Sequence, residues 1–167
     1  MLSRTFLWPQ GYTSAAMISV NLDAEFYGRI FYPGIDVSEG DIQRLGWTGM
    51  EYGLPHLLDC FREHGVKGTF FIPGRVAELY PDAVRAIADA GHELGCHGYE
   101  HEILAHFTPE EQLELLKKAK AAIEKAAGRA VTGFRMPEGE ITEQTLVAAK
   151  EAGFAYSSSL SLSLIHI

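Results

Sequence analysis

The feature that most restricts what this chain can become is a regular alternation, after residue 15, of short β-prone runs with longer helical patterns. Ala16 to Leu22, Gly68 to Ile72, Glu93 to Cys96, Thr132 to Met136 and Phe154 to Ser158 are brief, partly β-branched or aromatic runs, and they read as strands. Between them the apolar residues take helical spacing. Leu54, Leu57, Leu58 and Phe61 share one face and stop at Gly65, while Pro81 to Ala90 carries Val84, Ile87 and Ala88 ahead of Gly91. Thr108, Pro109, Glu110 and Glu111 supply an N-cap, a proline at the first helical position and acids in the first turn. The helix they begin should run to about Ala127 and end at Gly128, and a last one should cover Thr142 to Ala152 before Gly153. Strands separated by helices of roughly ten to twenty residues form parallel units, so the expected class is α/β, either an open sheet or a barrel.

In both architectures, sites gather at the carboxyl ends of strands. Asp23 follows the first predicted strand, His97 and His101 follow the third, and Arg135 with Pro137 closes the fourth. A carboxylate and two imidazoles brought together there make a two-nitrogen, one-oxygen site for a divalent ion, with positions left for water and substrate. The connection from Glu25 to Gly49 is long and glycine-rich, which suits a lid or a substrate wall better than a spacer.

Three chemistries use such a triad. The string HGYEH, residues 97 to 101, formally fits the inverted zinc-peptidase pattern, but that pattern needs a helix, and Gly95 and Gly98 oppose one by about 1 kcal/mol each. Non-haem iron oxygenases also use two histidines and a carboxylate, although the parallel βα pattern is unlike a many-stranded β fold. The third chemistry is hydrolysis, in which the ion polarises an amide carbonyl and acidifies a water.

The totals narrow the partners. A chain of 167 residues with 47% hydrophobic and 22% charged residues suits one globular domain with a substantial core. A net charge of −8 argues against nucleic acid or an anionic membrane as the main partner, because both need clustered lysine and arginine. No run approaches the ~20 apolar residues of a membrane span. The N-terminal segment, broken by Pro9 and Gly11, lacks the core of a signal peptide, so a cytoplasmic location is expected. Cys60 and Cys96 are expected to be two buried thiols outside any disulfide framework. The oligomeric state is not legible.

Taken together, VNLDAE, LLDCFREHGVKGTFFIPG, HGYEH and GFRMPEG resemble the polysaccharide deacetylase family over about Ala16 to Leu160. The resemblance implies an incomplete (β/α) barrel with about five parallel strands in residues 1–160, followed by a non-family tail at 161–167 of artefactual origin. It implies Asp23, His97 and His101 as ligands to a divalent metal, zinc being the expected ion, and Arg135 as the group that orients a catalytic carboxylate. It also implies a carbohydrate or small-amide substrate. The expected reaction is metal-dependent hydrolysis of a non-peptide C–N bond, above all N-deacetylation of an amino-sugar polymer such as peptidoglycan or chitin oligomers. Cyclic ureide or imide hydrolysis, as in allantoinase-like relatives, is the alternative within the family.

The departures from the family pattern matter as much. Leu22 stands where the family places its basic aspartate, and leucine cannot take a proton. Asn21 is close but its amide is not a base, which leaves Glu25, Glu138 or a metal-bound hydroxide acting alone; Glu25 is taken as the catalytic candidate. Tyr99, between the two histidines, and Pro137 are expected at the substrate, and Trp47 and Tyr52 are further candidates for its walls. His166 stands in the tail and is not assigned the role of the family's distal catalytic histidine. A metal- or sugar-binding fragment without turnover therefore stands beside the enzyme reading, and an unclosed barrel should present an unpaired edge.

Overall fold

The computed structural model describes residues 10–27, 39–139 and 141–159. Strands β1 (Ser19–Asn21), β2 (Thr69–Ile72), β3 (Glu93–Cys96), β4 (Gly133–Phe134) and β5 (Tyr156–Ser157) form one sheet in that same order. Every pairing is parallel, with Val20 opposite Phe70, Phe71 opposite Gly95, Cys96 opposite Phe134, and Phe134 opposite Ser157. A sequential parallel order, with no reversal along the sheet, is that of a barrel wall; doubly wound sheets switch direction part-way. The sheet is thus an arc of a (β/α) barrel, and β1 and β5 are its edges among the described residues.

Six α-helices accompany the strands among the described residues: α1 (Glu39–Thr48), α2 (Leu54–Glu63), α3 (Gly74–Leu79), α4 (Pro81–Asp89), α5 (Pro109–Ala127) and α6 (Glu143–Glu151). The long α5 begins with a reciprocal capping box between Thr108 and Glu111 and ends at Gly128, whose left-handed φ of 69° releases the chain. At the start of α6 the Thr142 hydroxyl accepts the Thr145 N–H at 3.1 Å. Two helices depart from the sequence reading. The α3 segment opens on Gly74 directly after Pro73, in a stretch where the sequence reading has no helix. The α1 helix occupies the end of the expected glycine-rich connection, despite Gly40 and Gly46. Residues 28–38 of that connection lie outside the described residues, as do the tail from 160 onward with His166, and residues 1–9. Cys96 is buried but Cys60 is exposed, because its position on α2 turns away from the sheet; the expectation of two buried thiols holds only for the first.

The two faces of the sheet differ in chemistry. Phe70, Ile72, Leu94, Cys96 and Phe134 point to the helix layer and join Val76, Val84, Ile87, Leu116 and Ile123 in the main core. Alternate residues point the other way, into the hollow of the arc, and they are Ser19, Asn21, Phe71, Gly95 and, just past β4, Arg135. Gly95 is required there: a Cβ would stand 2.5 Å from the Phe71 ring. No helix among the described residues is long and apolar enough to cross a membrane.

Candidate metal centre

The centre is built where three strand ends converge. Pairing between β1 and β2 continues to Leu22, whose N–H donates to the Phe71 carbonyl at 2.9 Å, and Asp23 is the next residue. The chain then turns through Ala24–Phe26, the Phe26 N–H donating to the Asp23 carbonyl at 2.9 Å. Beyond β3, the His97 N–H still donates to the Ile72 carbonyl at 3.0 Å, which aims the imidazole into the hollow. Asp23, His97 and His101 each offer one ligand atom, all within 4.8 Å of one another, and all three residues are buried. The His97 Nε2 lies 3.7 Å from Asp23 Oδ1, and the His101 Nε2 lies 3.7 Å from Asp23 Oδ2.

The His97 Nδ1 sits 2.8 Å from the Arg135 carbonyl, which can only accept, so the ring proton is on Nδ1 and Nε2 keeps its lone pair toward Asp23. Asp23 Oδ1, His97 Nε2 and His101 Nδ1 are buried without a hydrogen-bond partner. Each orphaned buried polar atom costs about 1–3 kcal/mol, and two of these, Asp23 Oδ1 and His97 Nε2, face each other at 3.7 Å as the donors of a cation site would, while His101 turns Nε2 to Asp23 and its orphaned Nδ1 toward Glu138. Two imidazole nitrogens and a carboxylate oxygen form a donor set that fits a divalent ion such as zinc.

Burial sets the titration of the group. Desolvation, reinforced by the nearby Glu138 charge, pushes the Asp23 carboxyl up to about 7. Desolvation pushes His97 down to about 4, outweighing its bond to the Arg135 carbonyl, and it also lowers His101. Both rings are therefore neutral near pH 7, the form that binds a metal.

The triad opens on a cleft of about 530 Å³ whose lining includes Asn21, Arg135, Glu138 and Ser158. Arg135 crosses the floor of the hollow with its guanidinium 4.0 Å from the centre of the Phe71 ring. Its Nη1 donates to Asn21 Oδ1 at 2.9 Å, and its Nη2 to Ser19 Oγ at 3.0 Å and Ser158 Oγ at 2.8 Å. One side chain thus ties β1 to the end of β5 across the arc. The catalytic carboxylate that Arg135 was expected to orient is not its partner; the Asn21 amide takes that place, held by its oxygen. Period-two spacing puts Ser19, Asn21 and Asp23 on one face, a signal present in the sequence that identifies the cleft-lining role of Asn21. Glu138 stands on the cleft wall with Oε1 3.7 Å from His101 Nδ1.

The other expected site residues lie elsewhere. Glu25 does not line the cleft, and its Oε2 accepts from the Tyr80 hydroxyl at 3.2 Å, because the turn after Asp23 carries it toward α3. Tyr99 faces the opposite side of its loop from the two histidines: the ring packs against Gly74 and beneath Lys118, and the hydroxyl donates to Glu78 at 3.0 Å. Pro137 is buried against Gly98, beside the cleft and not in its lining. Trp47 and Tyr52 are exposed and stack edge-on with each other, 5.7 Å between ring centres, away from the cleft. Among the described residues the positive-φ non-glycines are Ala24, His101 and Glu138, all at or next to the triad, which is where a fold holds strain for function.

Residues 47–157 match the polysaccharide deacetylase family. The chain is 36% identical over 129 residues to a peptidoglycan deacetylase of Helicobacter pylori, covering 77% of this chain and 43% of that protein. Its structure superposes on that of a putative polysaccharide deacetylase from Mycobacterium smegmatis with a TM-score of 0.81 and 33% identity, covering 93% of this chain and 54% of the other. It also matches a family 4 carbohydrate esterase pseudoenzyme from Bacillus anthracis, with a TM-score of 0.62 and 30% identity over 65% of this chain and 38% of that one. The chain therefore spans about half the length of the proteins it resembles. With its parallel arc and its clustered acid and imidazoles, it belongs to the polysaccharide deacetylase family.

Proposed function

We propose that this chain carries the metal-binding half of a zinc-dependent N-deacetylase acting on an acetylated amino-sugar polymer such as peptidoglycan. The observation that carries the reading is the buried Asp23, His97 and His101 group with its unpartnered atoms, and the likeness to the Helicobacter pylori peptidoglycan deacetylase supports the substrate class. A divalent ion held by these three residues supplies Lewis-acid polarisation of the amide carbonyl and lowers the pKa of a water at the site. The surrounding residues do the rest. The Arg135 carbonyl keeps the His97 proton on Nδ1. Arg135 fixes the Asn21 oxygen, which turns the Asn21 NH2 away from the guanidinium as a donor for a substrate oxygen. Glu138, on the cleft wall beside His101, is the proton acceptor in this reading, since Glu25 is committed to Tyr80.

A second reading, binding without turnover, rests on Asn21 in the grip of Arg135 and on Leu22, neither of which takes a proton; the similarity to a pseudoenzyme supports it. The two separate in one experiment. The chain is stripped with chelator, reloaded with Zn2+ and incubated with N-acetylated glycans and, in parallel, cyclic ureides. Zinc-dependent acetate release that is absent in His101→Ala supports the deacetylase. Stoichiometric zinc binding with no product from any substrate favours the second reading, and no zinc binding overturns both.

A further inference from the structure

The two histidines of the centre flank a loop, Gly98 to Glu100, whose backbone is gripped from two sides. The carbonyls of Gly98 and Tyr99 accept the N–H groups of Gly74 and Arg75, at 3.0 and 2.8 Å, at the start of α3. Two of the loop's N–H groups go to one side chain: Glu102 folds back so that Oε1 accepts from Tyr99 N–H at 2.8 Å and Oε2 from Glu100 N–H at 2.5 Å. Gly98 leaves the room for this carboxylate. Its φ is 74°, and a Cβ there would stand 3.2 Å from Glu102 Oε1 and 3.1 Å from Pro137 Cγ.

His101 lies inside the ring that these bonds close, since Glu102 follows it and the bonded amides precede it. Its φ of 63° is left-handed, a region that costs a non-glycine residue free energy and that the surrounding bonds help to hold. In that conformation His101 Nε2 reaches Asp23 and its ring centre lies 5.0 Å from that of His97. A relaxed loop would swing the imidazole out of this arrangement.

We infer that Glu102 is a positioning residue of the metal centre: its carboxylate, bonded to the Tyr99 and Glu100 amides, holds His101 in the left-handed backbone that aims its ring at Asp23 and His97. The inference rests on the triad being a metal site. Glu102 acts through His101 and lies outside the cleft lining.

The test is the Zn2+ dissociation constant of the chelator-stripped chain, by competition with a chromophoric chelator, for the natural chain, Glu102→Ala, Glu102→Gln and His101→Ala, with the Co2+ absorption spectrum recorded alongside. Loss of an outer partner of a metal ligand weakens binding by roughly 10–100-fold, which is the range expected for Glu102→Ala, with an altered Co2+ band. Glu102→Gln keeps one acceptor oxygen and should fall between. A purely structural Glu102 lowers the unfolding midpoint of the metal-free chain while leaving the zinc affinity and the Co2+ spectrum of the folded protein as they were. That result, or an affinity for Glu102→Ala within about threefold of the natural chain, overturns the inference and leaves the metal site intact. If Glu102→Ala does not fold, the unchanged or weakened affinity of Glu102→Gln decides. Absence of zinc binding by the natural chain overturns the triad itself, and the inference with it.

Discussion

Replacing Asp23 with asparagine should make the metal-free protein more stable at pH 8 while removing its affinity for zinc. Asp23 is almost fully buried, its Oδ1 has no hydrogen-bond donor, and burial raises its carboxyl from an ordinary 3.8 to about 7. A carboxyl raised on folding binds its proton more tightly in the native state than in the unfolded one, so stability falls as pH climbs from about 4 to about 7 and stays low above. The difference between 3.8 and about 7 corresponds to an upper bound of roughly 4 kcal/mol, and allowing for relaxation around the neutral amide leaves about 2–4 kcal/mol to be regained at pH 8. The assay is urea unfolding of chelator-treated Asp23→Asn and natural chain at pH 8 and again near pH 5. The variant should lead at pH 8, and its lead should shrink toward pH 5, where the native carboxyl is protonated. A variant less stable at pH 8, or a difference that does not change with pH, would refute the claim that ionised Asp23 is destabilising until a cation meets it.

Zinc binding itself should release about one proton per ion from Asp23 below pH 7 and none from His97 until the solution approaches pH 4. Affinity measured in weakly coordinating buffers should drop about tenfold per pH unit from pH 7 to 5 and level off above pH 7; a flat profile would contradict the raised Asp23 carboxyl. Arg135→Lys should cost about 1–3 kcal/mol in urea, because one ammonium cannot bond Asn21, Ser19 and Ser158 together while covering Phe71. Unchanged stability would show that the tie across the arc carries no free energy.

What the sequence determined by itself is what short stretches of chain encode. The bounds of α5 follow from the box between Thr108 and Glu111 and from Gly128, all within a few bonds of the helix they limit. The strands stand where β-prone runs do, and Asp23, His97 and His101 sit at strand ends as the alternation implied. Tertiary structure decided the rest, because the deciding contacts join residues far apart in the chain. Arg135 meets Asn21 and Ser19 from more than a hundred residues away, and no local pattern says that an amide will occupy the place of its expected carboxylate. The neighbours of Glu25 and Tyr99 in sequence point them to the site, but a turn and a loop face carry them to Tyr80 and Glu78. The pKa shifts of Asp23 and His97 are likewise invisible in sequence: they come from burial of both side chains where the ends of β1 and β3 pack together at the base of the cleft, which only the tertiary structure brings about.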